Sequence, residues 1–128
     1  MNFYVLLNHE LTDSQIAEVQ EMGANSIIQP PQDIKDFWAN VAPAGDLPLD
    51  TLRLVTGWLA EGSAGDYVLA QGDFGATYYV VNWCFANGRI PVYATTGRVY
   101  QSQPLPDGSI RQTHIIKHVN FRNYLEAL

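Results

Sequence analysis

The stretch that most constrains this chain is residues 66–98, DYVLAQGDFGATYYVVNWCFANGRIPVYATTGR. It opens on a short apolar run, breaks at Gly72 and Gly75, continues as a long apolar segment to Asn87-Gly88, and returns to a β-branched run. A strand that enters a helix through glycines and comes back as a strand is a βαβ unit, and the crossover makes its two strands parallel. Asp73-Phe74-Gly75 spells the magnesium-binding tripeptide of protein kinases. The other kinase signatures are missing, and 128 residues do not hold a kinase domain. What survives is the chemistry of the turn itself. The first N–H groups of a helix lack internal partners and carry the positive end of the dipole, which suits an anion.

The rest of the chain continues the alternation. NFYVLLN (2–8) reads as a buried strand. LTDSQIAEVQEMG follows as a helix, with a Thr12/Gln15 capping box, Ile16, Val19 and Met22 at helical spacing, and Gly23 as its stop. NSIIQPP is a second, short strand, and QDIKDFWANV (32–41) a short helix. DLPLDTLRLVTGWLAEG is a helix with Pro48 near its start and a Leu52, Val55, Leu59 stripe. RIPVYATTGR gives the fourth strand. Beyond it, RVYQSQPLPDGSIRQTHIIKHV reads as two strands around Pro106-Asp107-Gly108. The expected fold is a single α/β domain over residues 1–128, a Rossmann-like, mostly parallel sheet with flanking helices and a C-terminal β-hairpin. The helix at 73–87 has almost no polar face, which predicts burial on more than one side and a homodimer contact.

Charge narrows the partners. Residues 1–73 set Lys35 and Arg53 against eleven acids, a net −9, while residues 74–128 set five cations against Asp107 and Glu126, a net +3. The total of −6 argues against long nucleic acids, and the uneven distribution draws a small anion to the C-terminal half. A lone Cys84 excludes an internal disulfide. No run is long enough to span a membrane and no secretion signal opens the chain, so a cytoplasmic protein is expected.

Ligands of parallel α/β sheets bind beyond the strands' carboxyl ends. The first strand offers Asn8 and His9 there. The third offers Gln71, Gly72, Asp73 and Gly75, with Thr77 on the following helical turn; the fourth offers Thr95, Thr96, Gly97 and Arg98. Backbone and hydroxyl donors, one guanidinium, one imidazole and one carboxylate suit a phosphodiester. Arg98 is the expected phosphate contact. His9 is a candidate base; the plain alternative is that it only bonds its own loop. Asp73 is a candidate catalytic group whose plain alternative is a helix cap. His114 and His118 stand apart on a strand, without acids or Cys, so no metal is expected. No cofactor is called for, since GDFG is neither a Walker A loop nor a dinucleotide fingerprint.

LLNHELTDSQ, GDYVLAQGDFGATY, RIPVYATTGR and the C-terminal DGSI…H…HVNFRNY together resemble a family of small stand-alone CRISPR-associated proteins, CARF-related and assigned as ring nucleases. The resemblance covers nearly the whole chain. It implies a CARF-like fold and a cyclic oligoadenylate ligand, most readily cyclic tetra-adenylate. It also implies metal-independent cleavage to linear products ending in 2′,3′-cyclic phosphate, which switches off type III CRISPR signalling. A non-catalytic binder of the same ring, or another phosphate-handling enzyme of the same fold class, would use the same strand-end residues.

Overall fold

The computed structural model describes residues 1–127. Three short strands and a long fourth are separated by helices, and a fifth strand closes the chain. In order they are β1 (Phe3–Leu6), α1 (Asp13–Glu21), β2 (Ile27–Ile28), α2 (Gln32–Ala39), α3 (Leu49–Leu59), β3 (Tyr67–Ala70), α4 (Phe74–Ala86), β4 (Ile90–Pro104) and β5 (Ile110–Asn123). The sheet order is β2-β1-β3-β4-β5. The first four strands are mutually parallel, and β5 returns antiparallel along β4. Among the described residues no helix is long and apolar enough to cross a membrane.

The two faces of the sheet hold separate cores. Phe3, Val5, Leu69 and Val92 point to one side and meet Val19 of α1 and Phe121 of β5. Tyr4, Leu6, Val68 and Ala70 point to the other and are covered by Trp38, Val55, Val80 and their neighbours on α2, α3 and α4. All four residues of β1 are buried, as a strand with helices on both faces requires. The capping box at α1 forms as the spacing predicts: Gln15 N–H donates to Thr12 Oγ1, and Thr12 N–H donates to Gln15 Oε1. Gly23 then leaves the helix at φ 80°.

Two expectations change. The fourth strand does not end at Thr95–Arg98. β4 runs straight through Gly97 to Pro104 and is paired with β5 along that length. A bulge at Thr95/Thr96, with Val119 as the extra residue on β5, bends the pair without ending it. The hairpin's first strand is therefore the continuation of β4, and the turn at Pro106-Asp107-Gly108 closes it as predicted, with Gly108 at φ 88°. The second change concerns α4. Ala76, Val80 and Cys84 are fully buried, but Phe74 is 95% exposed and Tyr78 71%. With Asn82 these lie four residues apart and form one open face.

Candidate functional site

At the carboxyl end of β3 the chain is held from both sides. The Trp38 indole N–H of α2 donates to the Gln71 carbonyl at 2.8 Å. The Gln71 side chain reaches the other way, where its Oε1 accepts from Ala94 N–H at 2.8 Å. That bond continues the β3–β4 pairing past its last parallel partners, Leu69 and Val92. Gln71 thus locks the strand end in register.

The glycines of the turn have packing reasons. A Cβ on Gly72 would lie 2.7 Å from Trp38 Nε1, and a Cβ on Gly75 would lie 2.6 Å from Leu47 Cδ1. Asp73 caps α4: its Oδ2 accepts from Ala76 N–H at 3.0 Å. Its carboxylate occupies part of the helix N-terminus, leaving the Phe74 and Gly75 N–H groups with no intrahelical acceptor. Thr77 Oγ1 is buried and has no hydrogen-bond partner among the described residues.

Beside this turn lies a groove of about 660 Å³ between α4 and the segment after β5. Its walls include Phe74, Tyr78 and Tyr124, its polar lining includes Gln71 and Asn82, and Thr77 borders it with its hydroxyl buried. Tyr124 is fixed by donating its hydroxyl to Ala70 O at 2.6 Å. Burial, and secondarily the neighbouring Tyr93, push the Tyr124 phenol above its usual range. Cys84 lies deep under α4, where burial pushes its thiol up to about 12, so it stays protonated at neutral pH. Flat apolar walls with amide and hydroxyl groups at the edges suit a heteroaromatic ring.

The strand-end residues do not all come together. Gln71, Gly72 and Thr77 border the groove, with Asp73 and Gly75 on the same turn. Asn8 and His9 are exposed at the end of neighbouring β1, and His9 Nδ1 is 2.8 Å from Glu10 O, the plain alternative for that residue. Thr95 donates to Asn120 O at 2.9 Å and to Asn120 Oδ1 at 3.0 Å, bridging β4 to β5. Arg98 and Thr96 alternate with Thr95 and Gly97. Ala94 and His118 fix their side of the ribbon as the α1 side, away from the groove. Sequence reasoning missed Tyr78, Asn82 and Tyr124. The Phe74, Tyr78, Asn82 spacing carries the signal for the first two; Tyr124 gives none, because only the sheet's closure brings it to α4. Among the described residues no group of three His, Cys, Asp or Glu stands ready to hold a metal ion. His118 is instead paired with Glu18 at 2.6 Å.

The Thr77 hydroxyl yields a direct test of the groove. Thr77→Val keeps the shape and removes an unpaired buried oxygen, so the melting temperature is expected to hold or rise, by up to about 1 kcal/mol in stability. A fall of more than that in a denaturation curve shows that the hydroxyl is already satisfied within the fold.

The family model described as "Uncharacterized protein MJ1673 family" matches residues 1–122. This chain belongs to the MJ1673 family. It is 35% identical over 123 residues to "Uncharacterized protein MJ1673" of Methanocaldococcus jannaschii, an alignment covering 94% of this chain and 95% of that protein. No solved structure matches the chain. The MJ1673 family match takes in every helix and the whole strand-end turn, while Tyr124 lies beyond it.

Proposed function

We propose that this chain is a CARF-like, Rossmann-like ring nuclease. It binds cyclic oligoadenylate, cyclic tetra-adenylate first, and cleaves it without metal, ending type III CRISPR signalling. The observation that supports this best is the aromatic groove opening directly onto the glycine turn at the end of β3. A base site and a phosphate site then lie side by side, as one nucleotide of a ring requires. The motif resemblance in GDYVLAQGDFGATY falls on the same turn.

The chemistry asks little of the protein. The ribose 2′-oxygen attacks the adjacent phosphorus, the bond to the 5′-oxygen breaks, and the 2′ proton is lost as the 5′-oxygen gains one. Holding the 2′-oxygen in line with the leaving oxygen supplies most of the acceleration, and the free N–H groups of Phe74 and Gly75 are aimed at developing charge. The open Phe74–Tyr78 face of α4 is the proposed dimer-facing side, with the near-symmetric ring held between the grooves and turns of two copies. A second reading, a binder that sequesters the ring, is favoured by the cap role of Asp73 and the loop bond of His9, which leave no dedicated base at the turn.

One experiment separates these. Labelled cyclic tetra-adenylate is mixed with excess protein and EDTA and followed through one turnover. Linear product ending in 2′,3′-cyclic phosphate is expected, from a particle whose light-scattering mass is twice 14.3 kDa. Ring retained intact on the protein establishes the sequestering role. Ring that neither binds nor changes sinks both readings.

A further inference from the structure

Past its Thr96–His118 pair, the β4–β5 ribbon extends beyond the parallel strands, and most of its residues are exposed. It also holds most of the positive charge of an acidic protein. Arg98, Arg111, Lys117 and Arg122 are four of the chain's seven Lys and Arg residues. The single acid between Ile90 and Asn123 is Asp107, and the Ser109 hydroxyl and N–H both donate to it at the turn. Those bonds, the hydroxyl's first, hold the Asp107 carboxyl below its usual range.

The pairing register sorts the four cations between two faces. Phe121 packs in the α1-side core and His118 reaches Glu18 of α1, so those two mark one face. Arg122 lies on the other face, with its guanidinium carbon 5.9 Å from the Tyr93 ring and Nη1 3.4 Å from the Tyr93 hydroxyl. The bulge at Val119 resets the alternation, and Lys117 and Arg111 then fall on the face of Arg122. This is also the side of the sheet that carries α4 and its groove. Lys117 stands opposite Gly97, which carries no side chain of its own, with Val119 Cγ2 3.4 Å from the place a Cβ there would take. Among the described residues none of the three β5 cations forms a salt bridge. At about 3.4 Å per residue, Arg122 and Lys117 are about 14 Å apart along the strand and Lys117 and Arg111 about 20 Å. One phosphate cannot touch two of them, but a ligand with several linked phosphates can.

We infer that this face of the ribbon is a phosphate track for a short oligoadenylate, with Arg122 and Lys117 holding the phosphates nearest the α4 groove and Arg111 the far end. The identity of the ligand as an adenylate rests on the ring-nuclease reading; the charge row itself rests on the register. Unpaired guanidinium and ammonium groups on one face of an acidic protein bind a polyanion by releasing its counterions.

Fluorescence anisotropy with two probes, cyclic tetra-adenylate and linear tetra-adenylate, tests it. Lys117→Gln and Arg122→Gln are expected to raise Kd ten- to hundredfold each. Each is also expected to lower the slope of log Kd against log salt by about 0.7. Arg53→Gln, on α3 beside Asp50, serves as the charge-matched control and leaves both values as in wild type. Melting curves check that each variant keeps its fold, which exposed positions permit. Lys117-dependent binding of the ring supports the track and the ring ligand together. Lys117-dependent binding of the linear probe alone keeps the track and removes the ring reading. A triple variant combining Arg111→Gln, Lys117→Gln and Arg122→Gln that binds either probe as tightly as wild type, with the same salt slope, overturns the track, and so does a wild-type protein that binds neither.

Discussion

Trp38→Ala is expected to lower stability by about 3–5 kcal/mol, a large fraction of what a domain of this size has. Trp38 is 2% exposed and is the largest of the fully buried side chains. It also satisfies the Gln71 carbonyl, so truncation creates a cavity and orphans a backbone acceptor at once. Trp38→Phe separates the two contributions. The ring refills most of the space but has no N–H, so a loss of about 1–3 kcal/mol is expected, from the unsatisfied carbonyl and the smaller ring. Urea denaturation midpoints at unchanged slope measure both. A Trp38→Ala protein within 1 kcal/mol of wild type would mean that the indole does not support the β3 end, and the account of Gly72 as the space left for it would fail with it.

The Trp38–Gly72 contact also shows where the sequence stops being readable. Everything that depends on local spacing is legible in this chain. The Thr12/Gln15 capping box, the stop at Gly23, the buried run of β1 and the turn at Asp107-Gly108 all involve residues within a few positions of one another. The glycines at 72 and 75 announce a turn but not its reason. An indole 34 positions upstream and Leu47 28 upstream demand them, and only the folded sheet brings those side chains near. Gly97 misleads for a related reason. After two threonines it reads as a strand exit, yet β5 supplies a partner on the far side and the ladder continues through it. The same error displaces Arg98. A residue expected at a strand mouth becomes one rung of a ribbon, and two-residue alternation then decides its face. The charge asymmetry between the halves was visible from composition, whereas the alignment of Arg111, Lys117 and Arg122 needs the bulge at Val119, which no local pattern marks.

Glu18→Ala is expected to cost about 2–4 kcal/mol and to free the base of the ribbon. The two oxygens of this carboxylate do different work. Oε1 lies 2.6 Å from His118 Nε2, and Oε2 accepts from Phe121 N–H at 2.8 Å. The His118 side chain is only 4% exposed and its Nδ1 has no partner among the described residues, so losing Glu18 leaves both ring nitrogens without one. Phe121 N–H loses its acceptor in the same step. These bonds join residues 100 and 103 positions apart, and they fasten α1 to β5 beside the bulge. Their loss should therefore be felt locally before it is felt globally. Native-state hydrogen exchange is expected to speed up at Phe121 and its β5 neighbours, while the β3 and α4 amides keep wild-type protection. Glu18→Gln should recover part of the stability, because its amide oxygen still accepts from Phe121 N–H, while its NH2 meets His118 Nε2 and is satisfied only by the imidazole tautomer that accepts there. Under the proposed phosphate track the ribbon's aim matters for binding as well, since its cations would meet a ligand only if they are held on the groove side of the sheet. The proposed oligoadenylate affinity should then fall in Glu18→Ala, although Glu18 lies on the α1 side, away from the proposed track. Uniform acceleration of exchange throughout the chain would instead make this pair an ordinary part of the core, with no separate hold on the ribbon.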